Sequence, residues 1–288
     1  MRTAEIDPAK IKALAIDLDG TTLLPDSVLG CRTARCLRRL VDRGIQIIVC
    51  TGRAPGSSRR YCEAIDAKGP MVFFNGAMVA EMPGSKPVGC DLLPLEVVAY
   101  GADIARDMDI HYQVFFPATA NPEPGIQGET LAIEKHRPES EFYQKHTGIT
   151  PIVADIKDMI ARPGLHGITG GLKAMFIADP SAHKEVHDRM AWRFGGRIYM
   201  VRTHPTFLEV MTAGVSKGRG LKTVMELRGL NPQDVMAFGD EENDLPMFAA
   251  ARFSAAPANA TEKVREAADF VFGPNTQEGL AAFLEGLF

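Results

Sequence analysis

Four times the chain runs a short, unbroken apolar segment into an abrupt polar stop. Ala13-Leu14-Ala15-Ile16 ends in Asp17-Leu18-Asp19-Gly20, and Ile45-Gln46-Ile47-Ile48-Val49-Cys50 ends in Thr51-Gly52-Arg53. Met71-Val72-Phe73-Phe74 ends in Asn75-Gly76, and Val235-Met236-Ala237-Phe238 in Gly239-Asp240. A strand with one wet face alternates polar and apolar residues, so runs without alternation predict strands buried on both faces, as in a parallel sheet. Helical stretches separate them. One covers about 29–43, with Thr33, Leu37, Leu40 and Val41 on one face and Gly44 as its stop, and another about 56–67. Strand, helix, strand, helix, strand predicts an α/β fold, a doubly wound parallel sheet.

The rhythm breaks at Pro83-Gly84-Ser85-Lys86-Pro87, where proline and glycine mark a loop or linker. Beyond it come a helix at about 95–108, a strand at 110–116 and an irregular stretch from Pro117 to Gly128. A strand at 172–178, a helix at 181–194 and strands at 197–201 and 207–211 follow. That mixed order predicts a separate α+β insert. The parallel rhythm then resumes with a helix at 218–228, the strand at 235–238, short strands at 253–256 and 270–272, and helices at 261–268 and 277–287. A chain of 288 residues has room for two domains. The expected division is a core of 1–83 and 213–288 with an inserted domain over 84–212.

Composition narrows the class. Hydrophobic residues make up 45% and charged residues 24%, an ordinary globular balance. With 32 Lys and Arg against 36 Asp and Glu, the net charge of −4 offers no footprint for nucleic acid. The amino-terminal residues carry no continuous apolar segment of the kind a secretory signal needs, and no apolar run is long enough to span a bilayer. Five cysteines, Cys31, Cys36, Cys50, Cys62 and Cys90, form no Cys-x-x-Cys pair. They predict reduced thiols that mostly pack, in a cytoplasmic protein without a structural zinc site.

In an open parallel sheet, ligands bind outside the carboxyl ends of the strands. The residues placed there are Asp17, Asp19, Thr51, Asp240 and Asp244. Carboxylates converging on one point repel unless a cation neutralises them. With no His or Cys among them, the donor set favours a hard ion such as Mg²⁺ over zinc. Taken singly, each motif has a plain structural explanation. Asp-x-Asp-Gly makes turns, Thr-Gly-Arg and Gly-Asp-x-x-Asn-Asp cap helices, and a lone Lys217 sits in water. Gly214-Val215-Ser216-Lys217-Gly218 lacks the order of a P-loop.

Taken together, Asp17-Leu18-Asp19-Gly20-Thr21, Thr51-Gly52-Arg53, Lys217 and Gly239-Asp240-Glu241-Glu242-Asn243-Asp244 resemble the four ordered motifs of haloacid dehalogenase (HAD) superfamily phosphatases. The insert between the second and third motifs, with Asn75-Gly76-Ala77 and Leu208-Glu209-Val210, resembles the Cof-type subfamily (IIB) with its C2 cap. The resemblance implies a Rossmannoid core, a cap over the site and a small phosphorylated metabolite, foremost a sugar phosphate, as substrate. It implies Asp17 as the nucleophile that forms an aspartyl-phosphate and Asp19 as general acid and base. Thr51, Gly52, Lys217 and Asn243 would bind phosphate. Asp17, Asp240 and the Asp19 carbonyl would bind Mg²⁺, with Asp244 supporting them or acting through water. Where the family often has Met-Gly-Asn-Ala, this chain has Pro257-Ala258-Asn259-Ala260, which removes a glycine but no catalytic group.

A phosphomutase shares Asp17 and Asp19 and differs only in the acceptor, while a noncatalytic phospho-ligand sensor would be expected to lack one of the chemical groups. His111, Tyr112, Lys173, Arg202 and His204 of the insert are expected to be structural or exposed. Cys31, Cys36 and Trp192 are expected to pack. Oligomeric state has no signature in the sequence.

Overall fold

The computed structural model describes residues 6–117, 129–162 and 167–288. In chain order the strands are β1 (Ala13–Ile16), β2 (Gln46–Val49), β3 (Gly69–Phe73), β4 (Met78–Met82) and β5 (Lys86–Cys90). Next come β6 (His111–Pro117), β7 (Glu129–Ile133), β8 (Ile152–Val153), β9 (Lys173–Ile177), β10 (Ile198–His204) and β11 (Phe207–Thr212). The last three are β12 (Val235–Phe238), β13 (Phe253–Pro257) and β14 (Phe270–Phe272). The chain divides into two compact units. One comprises residues 1–54, 58–89 and 216–288, and the other 55–57 and 90–215.

The first unit is built on a five-stranded sheet ordered β14-β13-β12-β1-β2. Every pairing in it is parallel, with Ala13 opposite both Val235 and Gln46, and Ile16 opposite Phe238 and Val49. Strands β1 and β12 are buried along their whole length, the condition their unalternated composition answers. The helix Cys31–Asp42 turns Thr33, Cys36, Leu37 and Leu40 inward at helical spacing. The helix Lys217–Arg228 buries Leu221, Val224 and Met225 in the same cluster as Ala13, Ala15, Val235 and Ala237.

One strand departs from the sequence reading. β3 does not extend the parallel ladder; it opens a three-stranded sheet ordered β3-β4-β5, pairing antiparallel with β4. Just past the end of β2, Cys50 forms an isolated parallel bridge with Val72 of β3. The Pro83–Pro87 stretch, read as a loop or linker, is the turn joining β4 to β5 and the start of β5 itself.

The second unit carries a six-stranded sheet ordered β10-β11-β9-β6-β7-β8, antiparallel except for β7 with β8. The helices Leu95–Asp107 and Pro180–Phe194 pack on one face, where Val97, Val98, Val186 and Met190 meet Val114, Phe116, Ala174, Phe176 and Val210. The period of two sends Lys173 and Glu209 to the opposite face, where they form a buried ion pair of 2.7 Å. Between β6 and β9 lie elements the sequence reading left blank: β7, β8 and the helices Pro138–Thr147 and Ile156–Ala161. After Pro117, the irregular stretch expected up to Gly128 falls outside the described residues. No described helix is long and apolar enough to cross a membrane.

Two packing expectations fail. Trp192 is 86% exposed, because it lies on the outer face of a helix whose inward positions are His183, Val186, Met190 and Phe194. Cys31 is exposed at the first turn of its helix and Cys90 is exposed at the end of β5, whereas Cys36, Cys50 and Cys62 pack as buried thiols.

Candidate active site

Strand β1 delivers Asp17 to its carboxyl end, where the Asp17 amide donates to the Phe238 carbonyl of β12 at 2.9 Å. The backbone then winds through Leu18–Thr22 and closes with Leu23 N donating to Leu18 O at 2.8 Å. Thr22 Oγ1 donates to the Asp17 carbonyl at 2.5 Å and stiffens the turn. Gly20 sits at φ +75°, and a Cβ there would lie 2.1 Å from Asp240 Oδ2. The turn therefore needs glycine twice over, for the backbone angle and for the close approach of a carboxylate.

Lys217 opens its helix behind Ser216, whose hydroxyl caps the Arg219 amide at 3.1 Å. Its Nζ donates to Asp17 Oδ1 and to Asp244 Oδ1, each at 2.7 Å, and its side chain is only 3% exposed. Asp244 Oδ2 accepts from the amides of Asp240 and Glu241 at 2.9 and 3.1 Å. Asp240 Oδ1 accepts from Thr21 Oγ1 at 2.7 Å. Asp17, Asp240 and Asp244 thus each offer a carboxylate oxygen within 4.8 Å of the others, all three buried.

Three buried carboxylates share one ammonium, so the cluster is short of positive charge. Burial, reinforced by Asp244, pushes Asp240 up to about 7. Burial raises Asp17 well above the usual carboxylate range, against the pull of Lys217. For Lys217 burial acts downward, yet the two carboxylates it touches override it and hold its pKa above normal, so it stays charged. An all-oxygen donor set with unmet negative charge is the chemistry of a hard divalent cation, so the residues present fit one.

Thr51 at the end of β2 is fully buried. Its Oγ1 accepts from the Arg53 amide at 3.1 Å, which leaves its own proton to donate. Its carbonyl accepts from the Asn75 amide at 3.0 Å. Gly52 runs close to Asn75; a Cβ there would sit 3.0 Å from Asn75 Oδ1. Asn243 Nδ2 donates to that same Oδ1 at 3.0 Å, while Asn243 Oδ1 is buried with no partner among the described residues. Thr51, Gly52 and Asn243 are thus tied together through Asn75, and Lys217 is tied to Asp17 and Asp244.

Asp19 stands apart from the carboxylate cluster. Its side chain is 53% exposed and is gripped by Arg53 through both oxygens, Nε to Oδ2 and Nη2 to Oδ1, each 2.6 Å. Sequence reasoning did not name Arg53, Asn75 or Thr21 as site residues. Arg53 and Thr21 stand inside the quoted motifs and Asn75 ends a strand, so position was a signal; the partner each would choose was not. In the insert His111, Tyr112 and Lys173 are buried, whereas Arg202 and His204 are exposed.

The family model for haloacid dehalogenase-like hydrolases matches residues 14–284. The chain is 25% identical over 295 residues to a 5-amino-6-(5-phospho-D-ribitylamino)uracil phosphatase of Bacillus subtilis, covering 96% of this chain and 98% of that one. It is 27% identical over 271 residues to a phosphoglycolate phosphatase of Methanopyrus kandleri, covering 94% of each. Its fold matches that of a haloacid dehalogenase-like hydrolase from Bacteroides thetaiotaomicron with a TM-score of 0.84, at 24% identity over 96% of this chain and all of that one. The sequence motifs, the parallel sheet with its inserted α+β unit and these matches agree: the chain belongs to the haloacid dehalogenase superfamily and is a phosphatase of its Cof type.

Proposed function

We propose that this phosphatase is a Mg²⁺-dependent phosphomonoester hydrolase that works through an aspartyl-phosphate on a small phosphorylated metabolite, foremost a sugar phosphate. The observation that carries the reading is the Asp17 carboxylate pinned by Lys217 among two further buried carboxylates. The two named relatives act, by their names, on a phosphoribityl compound and on phosphoglycolate, both small phosphomonoesters.

Asp17 forms a bond to phosphorus as the bond to the leaving oxygen breaks, which divides one hard displacement into two. Lys217 pulls the Asp17 carboxylate toward its ionised form against the effect of burial, and its charge faces the negative phosphoryl group that Asp17 attacks. Asp19 gives its proton to the departing alkoxide, then takes one from the water that cleaves the aspartyl-phosphate and frees Asp17. Thr51 and Asn243 hold phosphoryl oxygens through their side-chain donors. Asp17 and Asp240, with the Asp19 carbonyl, would hold Mg²⁺. Both Asp244 oxygens already accept from Lys217 or from backbone amides, which suits Asp244 to orienting the others. When bound, Mg²⁺ supplies the positive charge that this cluster lacks and that a phosphoryl group in transfer needs.

The test is release of inorganic phosphate from a panel of sugar phosphates, ribityl phosphates, phosphoglycolate and 4-nitrophenyl phosphate, after chelation and after Mg²⁺ is restored. Turnover of at least one small alkyl phosphate, lost on chelation and regained with Mg²⁺, is expected. Full activity after exhaustive chelation would remove the metal from the mechanism, and isomerised product in place of free phosphate would make the enzyme a mutase.

A further inference from the structure

The grip of Arg53 on Asp19 has an unusual asymmetry. Asp19 is half exposed on a two-bond stem, so by itself its carboxylate would sample several rotamers. Arg53 is only 9% exposed and is fixed independently of Asp19. Its Nη2 also donates to Ser27 Oγ at 2.5 Å, and its guanidinium lies 5.5 Å from the centre of the Tyr61 ring. Tyr61 in turn donates its hydroxyl to the Ser27 carbonyl at 2.7 Å. Ser27 is presented by a turn in which Asp26 and Ser27 both take positive φ, 59° and 58°. A buried fork thus meets a half-exposed carboxylate, and it does so 34 residues away in sequence. Exposed ion pairs usually contribute little stability, but a bidentate pair with one buried member fixes geometry.

We propose that Arg53 is a positioning residue. It orients Asp19 for proton transfer and pairs with the carboxylate that forms as Asp19 protonates the leaving oxygen. The proposal rests on the reading of Asp19 as general acid and base. In the first step the bond from phosphorus to the leaving oxygen breaks, Asp17 bonds to phosphorus, and the proton moves from Asp19 to that oxygen. In the second, a water oxygen bonds to phosphorus as the bond from phosphorus to Asp17 breaks, which frees the Asp17 carboxylate and inorganic phosphate, and the water proton goes to Asp19. Arg53 stays protonated through both, because a guanidinium does not titrate in this range. Lysine would carry the charge without the planar fork, so it would not reproduce the alignment.

This role has a signature that a merely structural one lacks. An alkyl phosphate expels a strongly basic alkoxide and depends on the acid; 4-nitrophenyl phosphate expels a phenolate stable enough to leave without it. The ratio kcat/KM isolates the step that includes leaving-group departure. For Arg53→Ala with saturating Mg²⁺, kcat/KM on the best alkyl phosphate of the panel is expected to fall roughly 10²-fold, and on 4-nitrophenyl phosphate less than about fivefold. Arg53→Lys is expected to keep the same selectivity with a smaller loss, and it carries the comparison if the alanine variant does not fold. Asp19→Asn is expected to show the same split, and adding Arg53→Ala to it is expected to produce almost no further loss. Equal losses on both substrates in the Arg53 variants, beside a split in Asp19→Asn, would overturn the role of Arg53. No split in Asp19→Asn would instead bring down the reading of Asp19 itself.

Discussion

Lys217 holds two buried carboxylates at once, so its removal is felt in stability as well as in chemistry. In Lys217→Ala, Asp17 and Asp244 lose their shared counter-charge while remaining enclosed. Breaking a buried pair by deleting one partner typically destabilises by about 3–5 kcal/mol. Denaturant melts of Lys217→Ala without metal are expected to show a loss of that size, and turnover should fall on every substrate, since all present the same phosphoryl group. Unchanged stability would mean that the two carboxylates do not depend on Lys217 as their counter-charge. The sequence made Lys217 legible only through its place among ordered motifs. Its two partners lie 200 and 27 residues away, and no local pattern reveals them.

At the scale of the element, the turn Leu18–Thr22 converts a strand end into a site. Gly20→Ala asks a residue with a Cβ to adopt φ +75° and to push against Asp240, which is itself tethered by Thr21. The flanking β1 and β12 pair through backbone bonds that do not involve Gly20, so the sheet should survive. A displacement of about 1 Å at reacting groups can lower turnover on the order of 10²-fold. Gly20→Ala is therefore expected to keep its circular dichroism spectrum and lose most of its phosphate release, and wild-type turnover would show that the turn tolerates the shift. The same elements explain what the sequence revealed. β1, β2 and β12 were readable because burial on both faces leaves an unalternated apolar run. β4 and β5 were hidden by Pro83, Gly84 and Pro87, which punctuate a hairpin as they would a linker. The helix Pro138–Thr147 buries only Ser140 and Tyr143, so it has no apolar stripe to betray it. β3 read as a further strand of the parallel sheet because its composition is that of a buried strand, and composition does not say which strand it pairs with.

For the molecule as a whole, the acidic cluster couples folding to pH and to metal. In the folded chain Asp240 stands near 7 against 3.8 for an ordinary aspartate, and Asp17 is raised as well, in each case first by burial. A folded-state pKa above the unfolded value means that the stabilising effect is complete below about pH 4 and is lost as pH rises toward 7. Without metal, this cluster should therefore lower the melting temperature steadily between pH 5 and pH 7.5. Mg²⁺ binds the ionised carboxylates and must displace a proton wherever one is held, so its stabilising effect should run the other way. At 100 times the dissociation constant, a ligand that binds only the folded state contributes about 2.7 kcal/mol, which for a chain of this size raises Tm on the order of 5 °C or more. That rise is expected near pH 7.5 and should shrink markedly at pH 5.5. Asp240→Asn is expected to flatten both the metal-free pH slope and the response to Mg²⁺. Differential scanning calorimetry at the two pH values, with and without Mg²⁺, decides the matter. An equal Mg²⁺ shift at both pH values, or a full shift in Asp240→Asn, would show that the ion stabilises the protein somewhere other than at this cluster.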